Sequence, residues 1–216
     1  MMSPYFESLI KNSLTILADE PDDASAMVWS EAEASAELEN SDKAIYKLDL
    51  IDKEVLLEEI EDLLAYDGIR KVKELWLDRN EFGNEGVEVL ANSSQLEKIL
   101  VLSLAHNKLT NYSAQSIAIS PYLSQLQKLF LQGNQVGLEG LKALTESETL
   151  SNLKLLYLNL NPIGSAGAMI LAGDSKLQSL EELYLQKSGL ALEGVKALCE
   201  SDNFQKLTLL SLAGNG

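Results

Sequence analysis

The sequence predicts an α/β solenoid, a curved stack of strand, turn and helix units with parallel strands on the concave face and helices on the convex face. Three observations predict it. An asparagine column recurs every 27 residues, two leucine columns precede it at fixed spacing, and a segment with helical spacing follows it. A fixed period in the twenties, built of a strand and a helix, is typical of a solenoid in which each unit buries its apolar edge against its neighbours.

The first element is an acidic helical N-terminal cap over residues 1–43. Ser3 and Pro4 have the residue types of a helix N-cap and a first helical position. Apolar residues follow them at helical intervals, namely Phe6, Leu9, Ile10, Leu14 and Leu17. We expect this helix to cover the first strand of the solenoid.

Residues 44–71 read as a degenerate first repeat. The apolar columns of the later repeats are filled here by Ile45, Leu48, Leu50, Val55, Leu63 and Ile69. Lys53 replaces the asparagine, however, and no glycine marks the turn after it. Terminal repeats of a solenoid tend to be atypical in this way.

Residues 72–216 carry the regular repeats of 27 residues, of which the last is incomplete. Ser188 fills one place in their asparagine column. The other places are held by Asn80, Asn107, Asn134, Asn161 and Asn215. We expect this asparagine ladder to lie buried at the turn after each strand, where the side-chain amides bond backbone groups that the bend leaves unpaired.

The remaining columns predict a strand, a turn and a helix in each repeat. Alternating leucines before the asparagine, as at Leu129 and Leu131, predict short strands. Glycines follow the asparagine in most repeats, at Gly83, Gly137 and Gly164 and again at Gly86, Gly140, Gly167 and Gly194. We expect these glycines to let the chain reverse tightly before the helix.

The pattern LxxLxLxxNx(apolar), seen in "LKLLYLNLNPIGSAGAMILA", resembles the leucine-rich repeat. The helical second half of the unit, with its GxxG spacing, resembles the ribonuclease-inhibitor-like class of these repeats. The resemblance covers residues 72–216. It implies a leucine-rich repeat solenoid, and because that class includes a nuclease inhibitor and a GTPase activator, it also implies regulation of an enzyme as one alternative function.

Charge and cysteine content exclude several classes of function. The net charge is −16, and residues 1–69 hold 18 Asp and Glu against 4 Lys and Arg. This acidity works against nucleic acid and anionic membranes, and it favours either a solvated face or a basic protein partner. A single cysteine, Cys199, excludes an intramolecular disulfide and a CxxC metal site.

No targeting or catalytic motif emerges from the sequence. The N-terminal segment has no basic region followed by a long apolar run, so we expect a cytoplasmic protein without a signal peptide or membrane span, while export into a host by another route stays open. The only histidine, His106, has no serine or cysteine partner at a spacing typical of nucleophilic catalysis. We therefore predict a protein that is not an enzyme and that needs no cofactor and no metal.

Side chains between the two leucines of each strand should point outward onto the concave face. We predict a partner-binding patch there, with polar residues Glu74, Lys128, Glu182 and Lys187 at its rim. Its apolar members are Trp76, Phe130, Leu155, Tyr157, Leu160 and Tyr184. These aromatic residues either shield the sheet, because they are good strand formers, or anchor a bound protein.

The sequence thus favours a non-catalytic module for protein–protein interaction that binds a protein partner through its aromatic concave face. Besides regulation of an enzyme, as an inhibitor or a GTPase activator, a second alternative is a self-assembling structural unit. The chain finishes with "LTLLSLAGNG", just after a strand. Three interpretations of this end stay open: a fragment of a longer array, an open C-terminal edge that a second copy covers in a homo-oligomer, or an edge to which a partner adds.

Overall fold

The computed structural model describes residues 2–17, 45–173 and 175–215. Residues 18–43 of the predicted cap and residue 44 of the degenerate repeat lie outside this part of the chain, as does Gly216. Within it, eight strands form one open sheet whose order follows the chain. Strands on one face and helices on the other confirm the predicted solenoid.

The strands are short and follow one another at nearly constant spacing. They are β1 (Leu14–Leu17), β2 (Ile45–Asp49), β3 (Val72–Trp76), β4 (Val101–Ser103), β5 (Lys128–Phe130), β6 (Leu155–Tyr157), β7 (Glu182–Tyr184) and β8 (Leu209–Ser211). β1 runs antiparallel to β2, and every later pair is parallel. Leu129, for example, lies between Leu102 and Leu156, so residues of one sequence column are side by side in the sheet.

A helix follows each strand from β2 to β7 and one precedes β1. These helices are α1 (Pro4–Asn12), α2 (Leu57–Ala65), α3 (Gly83–Ala91), α4 (Asn111–Ile119), α5 (Leu138–Thr145), α6 (Gly164–Ala172) and α7 (Leu192–Cys199). Short 3-10 segments lead into later strands at Asp67–Lys71, Ser94–Leu96 and Thr149–Asn152. Successive helices from α2 to α7 contact each other, and their buried apolar residues belong to the same core as the leucines of the strands.

The N-terminal segment differs from its prediction. α1 begins as expected, with the Phe6 N–H donating to the Ser3 side chain at 3.1 Å. It ends at Asn12, however, and the predicted helical positions Leu14 and Leu17 lie in strand β1. β-branched Thr15 and Ile16 favour a strand, and the unpaired edge of β2 offers hydrogen-bonding partners that a longer helix would leave open.

The core consists of the inner leucine columns. In β3 to β7 and the residues directly after them, these leucines are at most 1 % exposed, as at Leu75, Leu102 and Leu185. Phe6 and Ile10 of α1 extend the same core to the N-terminal end. Burying a leucine side chain contributes about 1.5–3 kcal/mol relative to leaving it exposed, so the repeated leucines supply the main force that stacks the repeats.

Two groups of glycines serve different purposes, which corrects the prediction that all of them shape the turn. Gly83 and Gly164 have φ angles of 65° and 66° and lie where the turn meets the first residue of α3 and α6. Gly140 lies within α5, where an added Cβ would come within 3.0 Å of the Ala114 Cβ on α4. Gly86, Gly167 and Gly194 are likewise helical. At Gly140 the missing side chain therefore permits close packing against the preceding helix.

Candidate functional site

The asparagines at the turns join each repeat to the one before it. Asn134 donates from Nδ2 to the carbonyls of Leu104 and Leu131, both at 2.9 Å. Its Oδ1 accepts the N–H groups of Asn107 at 2.9 Å and Leu109 at 3.1 Å. Because this pattern spans neighbouring repeats, it holds the strand ends in register and so positions the outer columns of the concave face.

The other ladder positions follow the same rule with small variations. Asn80, Asn107 and Asn161 are buried, and each donates to a carbonyl 30 residues earlier. Asn215 makes the equivalent bond to the Leu185 carbonyl at 2.8 Å. Ser188, which replaces asparagine, still donates to the Leu158 carbonyl at 3.2 Å.

Four aromatic residues of the outer column form a continuous stack across the concave face. Ring centroids are 5.3 Å apart between Trp76 and Phe130, 4.9 Å between Phe130 and Tyr157, and 3.8 Å between Tyr157 and Tyr184. The last pair is nearly parallel, at 10°. All four residues are half-buried. We call Trp76, Phe130, Tyr157 and Tyr184 the aromatic stack.

Within the aromatic stack, Trp76 and Phe130 contact each other above Ser103, the small residue that lies between them in the sheet. Ser103 is fully buried, and its hydroxyl donates to Oδ1 of Asp78, which also accepts the Ala105 N–H at 2.9 Å. Burial raises the pKa of Asp78, although these two hydrogen bonds act in the lowering direction. The contribution of Asp78 to stability is therefore present below its ordinary pKa and lost as the pH rises through the raised value.

Charged groups contact both ends of the stack. The Lys47 ammonium lies 4.6 Å from the Trp76 ring centroid and also pairs with Asp49 at 2.9 Å. The Trp76 indole N–H donates to Glu74 at 3.2 Å. At the other end, the Tyr184 hydroxyl donates to Oε2 of Glu182 at 2.8 Å.

The titration of Tyr184 follows from these contacts. Hydrogen bonding with the Tyr157 side chain, and then with Glu182, raises the pKa of the Tyr184 hydroxyl above its ordinary value. Tyr184 thus remains a neutral phenol at physiological pH. Its contribution to stability is present below the ordinary pKa of tyrosine and is lost only as the solution becomes strongly alkaline.

A second column beside the stack has left-handed backbone in every described repeat. The φ angle is 56° at His106, 60° at Leu160 and 52° at Lys187, and glycine occupies this column only at Gly133 and Gly214. A non-glycine residue in this conformation costs about 1–2 kcal/mol. Leu160 adopts it while its side chain is 45 % exposed, so burial does not offset the strain there.

Between the stack and this left-handed column lies a column of side-chain amides. Oxygens of Gln132, Asn159 and Gln186 are buried and have no hydrogen-bond partner in the described part of the chain. Asp78 occupies the same column three repeats before Asn159, and its Oδ1 accepts hydrogen bonds from Ser103 and Ala105. The three amides therefore carry unused hydrogen-bonding capacity directly beside the aromatic residues.

The structure places the predicted patch residues on one face but not all in contact. Leu155 lies between Lys128 and Glu182 in the column that precedes the stack. Leu160 and Lys187 lie in the left-handed column that follows it. Sequence reasoning missed the left-handed column, the unpaired amide oxygens and the cation on Trp76. The repeat spacing placed Gln132, Asn159 and Gln186 in one column, but it did not show that their oxygens are buried. For the left-handed column, only its two glycines gave a signal in the sequence.

The described residues contain no group of three or more His, Cys, Asp or Glu side chains that could hold a metal ion. No helix in residues 2–17, 45–173 and 175–215 is long and apolar enough to cross a bilayer. Cys199 is exposed at the end of α7 and His106 is exposed at its turn.

The repeats of this chain match a known family model. The family model described as Leucine Rich repeat matches residues 68–91, 123–144, 149–172 and 176–199. No curated protein matches the chain. Among solved structures, a tropomodulin C-terminal domain from Caenorhabditis elegans shares 14% identity, with a TM-score of 0.49 over 69% of this chain and 92% of that one.

A second solved structure, a TLR13 complex with the RNA ssRNA13, shares 19% identity with a TM-score of 0.38. That match covers 62% of this chain and only 21% of the other, and so distant a likeness says nothing about the ligand of the present chain. The four matched repeats lie within the described repeat array of strands and helices. The four matches show that the chain carries leucine-rich repeats, a kind of repeat that in general serves protein–protein interaction.

Proposed function

We propose that this chain is a non-catalytic module that binds a protein partner through its concave face, with the aromatic stack as the anchor. The observation that carries the proposal is the continuous stack itself, four half-buried rings with centroid spacings of 3.8 to 5.3 Å. Aromatic side chains dominate binding energy at protein interfaces. A row of them on the face that solenoids commonly use for binding favours recognition.

Preorganisation strengthens the case for the stack. Each inner ring is held by neighbours on both sides, and Tyr184 is also held by its hydrogen bond to Glu182. Ordering a free side chain on binding costs about 0.5–1.5 kcal/mol, so rings that are already fixed lose little further freedom. A partner would therefore gain most of the contact energy that these rings offer.

The surroundings of the stack have the composition of an interface. Leu155 and the exposed Leu160 extend the apolar area on either side of it. Lys128, Glu182 and Lys187 supply a polar rim. The unpaired amide oxygens of the neighbouring column can accept hydrogen bonds from a bound chain once their side chains turn outward.

The partner we propose is a protein, and not nucleic acid or a membrane surface. A net charge of −16 opposes binding to phosphate groups. We place the interaction in the cytoplasm, where a chain with one cysteine has no need of disulfides. The assembly that we propose is a complex of this module with its protein partner. The alternative, a dimer of this chain paired through β8, would be recognised by its molar mass in light scattering.

Affinity capture from a lysate of the source organism tests the proposal. The wild-type chain is compared with a variant that carries Phe130→Ser, Tyr157→Ser and Tyr184→Ser, after circular dichroism and urea unfolding have shown that the variant folds. Proteins retained by the wild type alone are identified by mass spectrometry, purified, and measured by calorimetry. We expect the affinity of the variant to fall about tenfold or more, as for loss of interface anchors.

A matched control removes apolar side chains from the opposite face. Tyr112, Ile119 and Met169 lie on helices α4 and α6 and are 72%, 79% and 46% exposed. Replacing all three by serine should leave the affinity within about twofold, because scattered surface substitutions have small effects. Equal loss in both variants, or equal capture by the wild type and the concave variant, would overturn the proposal.

A further inference from the structure

The two ends of the aromatic stack are not equivalent. At the first end, the Lys47 ammonium lies over the Trp76 ring, 4.6 Å from its centroid. At the other end, Tyr184 stacks on Tyr157, and no other ring or cation of the described residues contacts it. The next residue in the column is Ser211 of β8, which is too small to cover a ring.

We propose that the face of Tyr184 turned toward Ser211 binds an arginine side chain of the protein partner. This inference rests on the proposed function, because it specifies what the concave face recognises. The guanidinium group would lie above Ser211 and continue the stack by one layer. Its position would mirror that of the Lys47 ammonium on Trp76.

Space for such a layer follows from the rest of the column. Ser103 occupies the equivalent place between Trp76 and Phe130, and there the two rings meet above it with centroids 5.3 Å apart. A planar group can therefore contact the ring of one strand across a serine of the next. Ser211 leaves the same room beside Tyr184.

Electrostatics favour a cation in that place. The face of an aromatic ring carries partial negative charge and attracts cations within about 6 Å of its centroid. The Glu182 carboxylate accepts the Tyr184 hydroxyl at 2.8 Å, so it adds negative charge at this ring without needing Tyr184 to ionise. Lys187, the other charged residue nearby, lies beyond the C-terminal end of β7 with its stem against Gly214.

Geometry favours arginine over lysine. The plane of Tyr184 is fixed, because it lies at 10° to that of Tyr157 with a centroid separation of 3.8 Å. A guanidinium group is planar and stacks on aromatic faces, and its remaining N–H groups can bond a carboxylate such as that of Glu182. An ammonium group offers a compact charge but no plane to stack.

Nuclear magnetic resonance with small probes tests the inference without knowledge of the partner. N-acetyl-arginine amide and N-acetyl-citrulline amide are titrated separately into the chain with labelled tyrosine rings, at matched ionic strength. Citrulline has the same length and a planar end group but no charge. We expect the arginine probe to shift the Tyr184 ring signals at least threefold more than the citrulline probe does at equal concentration.

Two carboxylate variants localise the effect. Glu182→Gln keeps an acceptor for the Tyr184 hydroxyl and removes the charge, so the arginine-induced shift should fall by at least half. Glu181→Gln is the matched control, since Glu181 is the adjacent residue and pairs with Lys154 at 3.4 Å. It should leave the shift unchanged. Equal shifts from both probes, no arginine-induced shift at Tyr184, or equal responses in both variants would overturn the inference.

These outcomes separate this inference from the proposed function. If the arginine probe fails while the serine variant of the stack still loses its partner, the concave face binds a partner of different chemistry. If the arginine probe succeeds while partner capture does not depend on the stack, Tyr184 binds cations but the concave face is not the docking surface.

Discussion

Side chains on the two sides of each strand follow different rules. The inner positions hold leucine in every regular repeat, and in β3 to β7 these leucines are at most 1 % exposed. The outer column that begins at Lys47 runs through glutamate, valine, lysine, leucine and glutamate to Leu209. Repetition is required where each repeat must fit the next, whereas variation is possible where side chains face solvent or a partner. The inner columns therefore specify the stack of repeats, and under the proposed function the outer columns specify what the concave face binds.

The strongest test of this difference compares two adjacent residues of β5. Leu129 is fully buried and Lys128 is exposed. Leu129→Ala should lower the free energy of unfolding by about 2–5 kcal/mol, because it removes buried methyl groups and leaves a cavity. Lys128→Ala should change it by less than about 0.5 kcal/mol. Urea unfolding of both variants measures the two values, and similar losses would break the distinction between inner and outer positions.

The asparagine ladder is buried like the inner columns, so substitutions in it should also lower the free energy of unfolding. Asn134→Ala leaves two backbone N–H groups and the Leu104 carbonyl without their partner, while the Leu131 carbonyl keeps its hydrogen bond from the Asn161 side chain. We expect a loss of about 2–3 kcal/mol, because buried unsatisfied groups are costly even after some relaxation. Asn152 is a suitable control, since it is exposed and makes one side-chain bond, to the Ser124 carbonyl at 2.8 Å. A loss for Asn134→Ala no larger than that for Asn152→Ala would contradict the structural role.

The inner columns were readable from the sequence because they repeat. Leucine and asparagine recur at a spacing of 27, and this spacing alone predicted the register that places Leu129 beside Leu102 and Leu156. The N-terminal segment has no such repetition. There the helical spacing of Leu14 and Leu17 competed with the open edge of β2, and strand pairing prevailed.

The outer face was only partly readable. The spacing predicted that Phe130, Tyr157 and Tyr184 would be neighbours, since a shared column implies adjacency in a parallel sheet. It did not predict that Trp76 would reach Phe130 across Ser103, because that contact depends on ring size and tilt. The positive φ angles of the left-handed column were not predicted either, because leucine at 160 and lysine at 187 are not residue types that favour such angles.

The left-handed column offers the test with the smallest expected effect. Substitutions at two of its members should change the free energy of unfolding in opposite directions. Leu160→Gly relieves strain at φ 60° and should raise the free energy of unfolding by about 1 kcal/mol. Gly133→Ala introduces strain at φ 68°, where its Cβ would also clash with the His106 ring, and should lower the free energy of unfolding. Urea unfolding measures both changes, and a loss of stability in Leu160→Gly would show that Leu160 serves packing. A gain would mean that the chain keeps a strained, exposed leucine beside the aromatic stack at a cost to stability, as expected of a residue that contacts the partner.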